Sequence, residues 1–100
     1  MTGKEKLFIY GTLINLNIQE SVFGRQDKGL PDVLKGYKKS EIRIEDEFFQ
    51  IIFPDNMEVV DGFVINVTKD ELKKIDEYET DAYKRERVVL ESGISAWVYH

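Results

Sequence analysis

The chain contains no cysteine and only one histidine, His100. Without thiols, neither a disulfide framework nor a thiolate metal site can form, and this composition fits a reducing cytoplasm. A single histidine leaves a charge-relay triad or a histidine-rich metal site without its parts. Acid–base chemistry therefore falls to carboxylates, tyrosines or lysines, and we expect neither a metal nor a cofactor.

Long apolar runs and blocks of like charge are absent as well. The first apolar run, residues 7–10, is far shorter than the core of a signal peptide or a membrane span. The formal net charge of -5 comes from acidic residues scattered among lysines, which argues against electrostatic binding to nucleic acid or to an anionic membrane. We expect a cytoplasmic protein with no nucleic acid and no membrane as partner.

The apolar content that is present suits one domain. The chain has 100 residues, of which 42% are hydrophobic, enough for a single core and too few for two. We expect residues 1–100 to form one domain with one functional site, and large aromatic residues such as Phe48, Phe49 and Trp97 to lie in its core. The oligomeric state has no signature in the sequence.

Six segments have strand character, and they are residues 6–10, 37–44, 48–53, 59–67, 83–90 and 94–99. A turn at Pro54-Asp55-Asn56 predicts a hairpin between the third and fourth segments. Gly62 inside the fourth predicts a bulge or a close approach of another backbone. With one clear helix and short helical segments, the pattern predicts an α+β fold whose sheet can curl into a small barrel.

The clearest helix follows Thr68. Thr68 and Glu71 have the spacing of a capping box, in which each side chain bonds the other residue's backbone amide, and we expect the helix to run to Tyr78 or Glu79. Residues 13–23 lack a clean period and are predicted to be a loop or a short irregular helix, followed by a turn-rich connection.

Glu79 occupies a position where the helical pattern places an apolar residue. Leu72, Ile75 and Glu79 fall on one stripe with the spacing of a core-facing side. Because a buried unpaired charge is costly, such a glutamate finds a donor, holds a proton or serves as a base in a dry place. Glu79 is therefore the first candidate for a functional residue.

Four short segments occur in a characteristic order. They read Phe-Ile-Tyr-Gly-Thr-Leu at residues 8–13, Val-Asp-Gly-Phe-Val at residues 60–64, Leu-x-x-Ile-Asp-x-x-Glu at residues 72–79 and Tyr-x-Arg-x-x-Val at residues 83–88. Each is weak alone, but together the sequence resembles the gamma-glutamylcyclotransferase-like superfamily over nearly its whole length. The resemblance implies a small mixed β-barrel flanked by helices.

The resemblance also implies functional residues. In that family the glutamate matching Glu79 transfers protons, which makes Glu79 the implied catalytic residue. The backbone amides of the segment matching Tyr10, Gly11, Thr12 and Leu13 receive the glutamyl moiety, which makes these four the implied substrate-binding residues. The implied partner is a small γ-glutamyl molecule.

Two further positions bear on the implied site. Tyr83 and Arg85 share a strand face and are additional substrate-binding candidates, as a hydroxyl and a guanidinium near Glu79, although a structural salt bridge explains Arg85 equally well. Many relatives carry an arginine directly after Tyr-Gly-Thr-Leu, whereas this chain has Ile14. One charge contact of those relatives is therefore missing.

The implied reaction requires no nucleophile from the enzyme. The α-amino group of a γ-glutamyl amide attacks its own γ-carbonyl carbon, which releases an amine and leaves 5-oxoproline. An enzyme must then move protons, fold the substrate and stabilise the oxyanion. A chain without cysteine, and with one histidine, has the groups for this task.

Three alternatives remain at the level of sequence. The helix can end at Glu77, in which case Glu79 pairs with Arg85 or Arg87 at the surface. The domain can be a non-catalytic module that binds a small carboxylate or a peptide end, which the residue at position 14 favours. It can also be an assembly module that uses exposed strand edges.

Overall fold

The computed structural model describes residues 4–80 and 83–100, which form five strands and two helices. In chain order they are β1 (Glu5–Ile9), α1 (Leu16–Phe23), β2 (Leu30–Ile44), β3 (Glu47–Val67), α2 (Lys69–Glu79), β4 (Arg85–Val89) and β5 (Ser95–Tyr99). A 3₁₀ turn, Thr12–Ile14, lies between β1 and α1. No helix in this part of the chain is long and apolar enough to cross a membrane.

The five strands form one sheet in the order β2-β3-β1-β5-β4. The central strand, β1, pairs antiparallel with β3 and parallel with β5. Its residues are buried on both faces, because Leu7 and Ile9 pack into one apolar cluster and Phe8 packs into another. The predicted α+β class is confirmed, with the sheet curled into a half-barrel.

The long β2–β3 hairpin differs from the predicted strand layout. Its turn lies at Glu45 and Asp46, both with positive φ, which is the backbone of a tight two-residue hairpin turn. The predicted turn at residues 54–56 is wrong, and the two strands that it was expected to join are the single strand β3. The sheet therefore has five strands rather than about six.

The residues that suggested a turn instead form an irregularity in β3. Pro54 pairs with Tyr37 and Val59 pairs with Lys35, so residues 55–58 lie opposite Gly36. A proline without an amide donor and a local turn of Asp55 are tolerated at such a bulge, and the side chain of Asp55 accepts a bond from the amide of Met57. Residues 54–58 therefore form a bulge in β3, and the strand continues on both sides of it.

Both helices begin at side-chain caps and cover the same face of the sheet. The capping box of Thr68 and Glu71 is confirmed, and α2 ends at Glu79 as expected. The ambiguous segment before Gly24 contains a regular helix, α1, which begins at Asn15 because that side chain accepts bonds from two amides of the first turn. Leu72 and Ile75 of α2 pack into the same cluster as Phe23 of α1.

Gly62 is a point of close contact between β3 and β1, which confirms the predicted close backbone approach. A methyl group at this position would overlap the carbonyl oxygen of Ile9 and would lie 2.6 Å from Cζ of Phe8. Both atoms belong to buried residues of the central strand, which close packing leaves little room to move. The glycine therefore lets the two strands pair.

We predict that Gly62→Ala lowers the free energy of unfolding by about 1–3 kcal/mol through overpacking. Urea denaturation measures the change, and Asp61→Ala, an exposed neighbour on the same strand, is the matched control. Equal stability of the Gly62→Ala variant and the wild-type protein would contradict this account of the contact.

Candidate active site

A cavity of about 420 Å³ opens where the end of β1, the end of α2 and the β2–β3 hairpin meet. Its wall is formed by residues 8–13, Glu41, residues 48–50, residues 78–80, Tyr83 and Tyr99. The volume is that of a site for a small molecule. Among the described residues, the lining carries two carboxylates and no lysine, arginine or histidine, so the donors that these residues offer to a ligand's negative charge are neutral.

The segment of Tyr10, Gly11, Thr12 and Leu13 forms one side of this cavity. The chain leaves β1 at Tyr10 and enters the 3₁₀ turn, in which the amide of Ile14 bonds the carbonyl of Gly11. The first amides of such a turn have no partner within it. Within the described ranges, no bond uses the amides of Gly11, Thr12 or Leu13.

Glu79 is the last residue of α2, and it lines the cavity. The buried side chains of Leu72 and Ile75 fix the helix on the core, and this places the half-buried carboxylate of Glu79 at the cavity wall. The backbone turns sharply after it, because Thr80 has φ 61 and ψ -170, a conformation that is unfavourable for a residue with a side chain.

The carboxylate of Glu79 makes no ion pair or hydrogen bond with the described residues. Burial raises its pKa to about 7, because water no longer solvates the charged form fully. The two arginines that offered an alternative are engaged elsewhere, since Arg85 pairs with Asp76 and Arg87 pairs with Glu5. The alternative in which the helix ends at Glu77 and Glu79 pairs with an arginine at the surface is wrong.

Three tyrosines surround Glu79, and each hydroxyl donates to a fixed acceptor. Tyr10 donates to the carbonyl of Tyr99, Tyr83 to the carbonyl of Gln50 at 2.6 Å, and Tyr99 to the carboxylate of Asp76 at 2.6 Å. Burial is the largest cause that raises the pKa of Tyr10, Tyr83 and Tyr99, and the charge of Glu79 adds to it. All three hydroxyls therefore stay neutral and hold the wall in place.

A model of the gamma-glutamyl cyclotransferase, AIG2-like family matches residues 7–100. The chain belongs to this family. AIG2-like protein C of Arabidopsis thaliana is 32% identical over 83 residues, which cover 82% of this chain and 47% of that protein. The chain thus spans about half the length of this curated relative.

Solved structures show the same fold. A protein from Arabidopsis thaliana, solved in solution, superposes with a TM-score of 0.83 at 22% identity over 97% of this chain and 68% of that one. An uncharacterized human protein superposes with a TM-score of 0.80 at 17% identity, over 97% of this chain and 66% of that one. A gamma-glutamyl cyclotransferase superposes with a TM-score of 0.71 at 16% identity, over 96% of this chain and 65% of that one.

Arg85 lies outside the cavity of this member of the cyclotransferase family. Its guanidinium bonds Asp76, with Nε 3.3 Å from Oδ1, and stacks over the ring of Trp97. The structure brings Tyr83 to the cavity and leaves Arg85 in the structural salt bridge that was the alternative. We therefore do not retain Arg85 among the proposed substrate-binding residues. Ile14, which replaces the arginine of many relatives, is not part of the lining either.

The hairpin supplies a wall that the sequence did not reveal. Phe48 and Phe49 line the cavity together with Gln50, and Phe48 is 67% exposed. The prediction that Phe48 and Phe49 belong to the core is wrong, because this part of β3 extends past the central strands as a hairpin arm. The one available signal was a polar residue, Gln50, inside an apolar strand.

A buried glutamine, also missed from the sequence, supports the 3₁₀ turn from behind. Gln19 is fully buried; its Nε2 donates to the carbonyl of Leu13 and its Oε1 accepts from the amide of Asp27, both at 2.7 Å. Both ends of the side-chain amide are thus satisfied, as burial of a polar group requires. Gln19 links Leu13 at the cavity to the connection that precedes β2.

We predict that Gln19→Leu lowers the free energy of unfolding by about 1–3 kcal/mol, because it leaves the buried carbonyl of Leu13 and the partly buried amide of Asp27 without their partners. Urea denaturation measures the loss. Gln26→Leu, at an exposed glutamine, is the matched control. A Gln19→Leu variant as stable as the control would contradict the supporting role.

We also predict that the Glu79→Gln variant is more stable than the wild-type protein, and that this difference grows as pH rises. The folded state holds the Glu79 proton up to about pH 7, whereas the unfolded chain releases it at the ordinary carboxyl value, so wild-type stability falls as pH rises between these values. Glutamine has no such loss. Near pH 8, after allowance for solvent screening of a half-buried group, the variant should be more stable by about 1–3 kcal/mol.

Unfolding in urea at pH 5 and pH 8 measures this difference. The gap between the Glu79→Gln variant and the wild-type protein should be small at pH 5 and wide at pH 8. Glu77→Gln changes an exposed carboxylate of the same helix and serves as the control. A gap that does not widen with pH would contradict the burial of the Glu79 charge.

Proposed function

We propose that the chain is a γ-glutamyl cyclotransferase that acts on γ-glutamyl amides of small amines, with Glu79 as general base and acid. The observation that carries the proposal is the Glu79 carboxylate, which has no partner among the described residues and a pKa raised to about 7. It lies in the cavity lined by Gly11, Thr12 and Leu13, whose amides bond no described residue. Family membership supplies the reaction class.

The reaction moves two protons from the α-nitrogen of the substrate to the leaving nitrogen. Glu79 takes the first proton from the α-ammonium group, and the freed amine attacks the γ-carbonyl carbon to close a five-membered ring. Glu79 returns that proton to the departing nitrogen as the C–N bond breaks, and then relays the second. The products are 5-oxoproline, with one N–H, and a protonated amine.

The raised pKa of Glu79 suits both halves of this cycle. A carboxylate with an ordinary pKa is a weak base toward an ammonium group, whereas a pKa near 7 allows it to accept and to return a proton at neutral pH. No hydrogen bond to a described residue competes for its oxygens. Catalysis of this kind contributes about 10² to 10⁴ in rate.

The amides of Gly11, Thr12 and Leu13 are the proposed receptor for the glutamyl moiety. The described residues that line the cavity include no basic side chain, so the backbone donors are the strongest partners that they offer to the α-carboxylate of a glutamyl group. Free amides at the start of a helical turn bind anions well because their N–H groups are already oriented. Tyr10 and Tyr83 shape the wall beside them.

We predict that Glu79→Gln lowers kcat/KM by about 10² to 10⁴ while the fold persists. Formation of 5-oxoproline from a panel of γ-glutamyl amines, followed by mass spectrometry, measures the loss, and Glu77→Gln is the matched control. Wild-type kcat/KM should rise with pH to a plateau with a midpoint near 7, because the base must be deprotonated. Full turnover by Glu79→Gln would sink the assignment.

A second candidate is a binding module that retains the pocket without turnover. The residue that favours it is Ile14, which leaves the loop without the charge that many relatives carry at this point. Calorimetry with γ-glutamyl amines decides between the two candidates. Binding without 5-oxoproline after hours of incubation would support the module, and measurable turnover would exclude it.

A further inference from the structure

One polar atom in the cavity wall lacks a partner. Oε1 of Gln50 is shielded from solvent and has no hydrogen-bond partner within the described ranges. The side chain packs against the loop at Gly11, since a methyl group at Gly11 would lie 3.4 Å from this oxygen. A buried acceptor without a donor is costly and uncommon in folded proteins.

The backbone of Gln50 is held in position, so relaxation cannot remove this cost easily. Gln50 pairs with Glu41 in the hairpin, and its backbone carbonyl accepts a hydrogen bond from the hydroxyl of Tyr83. The side-chain oxygen therefore stays at the wall of a cavity that the proposed substrate occupies. A donor on that substrate would satisfy it.

We propose that Oε1 of Gln50 accepts a hydrogen bond from the α-amino group of the substrate, so that Gln50 positions the attacking nitrogen and selects glutamyl over glutaryl compounds. This inference rests on the proposed function. The glutamyl group carries its amino group on the same carbon as its carboxylate. An acceptor that faces the Gly11 loop therefore lies beside that nitrogen, and the amide to be cleaved lies at the far end.

The two acceptors have different tasks. Glu79 removes protons from the α-nitrogen, whereas the neutral amide of Gln50 accepts an N–H without taking the proton. One N–H held by Gln50 restricts rotation about the C–N bond of the substrate and directs the lone pair of the free amine. Such orientation is the main requirement of an intramolecular attack.

The test compares two ligands that differ only in the α-amino group, N-ethyl-γ-glutamylamide and N-ethylglutaramic acid. Titration calorimetry is performed with the Glu79→Gln protein, which keeps the first ligand intact, and with the same protein carrying Gln50→Met, Gln50→Glu or the control Gln26→Met. Gln50→Met removes the acceptor and retains the backbone carbonyl that bonds Tyr83. Thermal unfolding checks that every variant is folded.

With Gln50 present, the γ-glutamyl ligand should bind at least about 10-fold more tightly than its desamino analogue, as expected for a hydrogen bond to a charged donor. Gln50→Met should reduce this ratio about 10-fold. Gln50→Glu, which retains an acceptor oxygen, and Gln26→Met should keep it. An unchanged ratio in Gln50→Met, or its loss in Gln50→Glu, would overturn the assignment of Gln50.

The same experiment separates this inference from the proposed function. Wild-type protein that binds the γ-glutamyl ligand but forms no 5-oxoproline would contradict the cyclotransferase, and the ratio in Gln50→Met would still decide the role of Gln50. Failure of the protein to bind either ligand would overturn both proposals. Turnover with an unchanged ratio would overturn the role of Gln50 alone.

Discussion

The carboxylate of Glu79 is partly desolvated and has no partner among the described residues, and the packing around it maintains that state. The packing of Leu72 and Ile75 fixes α2 on the core. At the other end of the helix, the guanidinium of Arg25 donates two hydrogen bonds to the carboxylate of Glu71. These bonds connect α2 to the segment that precedes β2. Because a charge at this point costs stability, the fold must supply that free energy through packing elsewhere.

The cavity depends on contacts between segments that are distant in sequence. The loop of residues 10–13 follows the central strand, and Gln19 bonds the carbonyl of Leu13 in this loop. The hairpin arm brings Gln50 against this loop at Gly11, and the hydroxyl of Tyr83, 33 positions away in sequence, donates to the backbone carbonyl of Gln50. The site is thus assembled from parts of the chain that lie far apart in sequence and are held together by hydrogen bonds and packing.

Local chemistry made part of this structure predictable. The strand before Gly11, the capping box at Thr68 and the stripe that ends at Glu79 follow from periodicity and side-chain reach over a few residues. The hairpin was misread because turn residues at 54–56 act locally, whereas the long partner strand β2 continues past them and keeps β3 extended. Pairing over many residues overrode a local signal.

By itself, the sequence determined the α+β class, the family and the identity of one acidic residue in an apolar stripe, because these depend on short-range order along the chain. Only the tertiary structure decided that Arg85 belongs to a salt bridge, and that neither Glu79 nor the side-chain oxygen of Gln50 has a partner among residues 4–80 and 83–100. The reason is physical: pairing and desolvation depend on which distant groups meet, and no local pattern specifies that meeting.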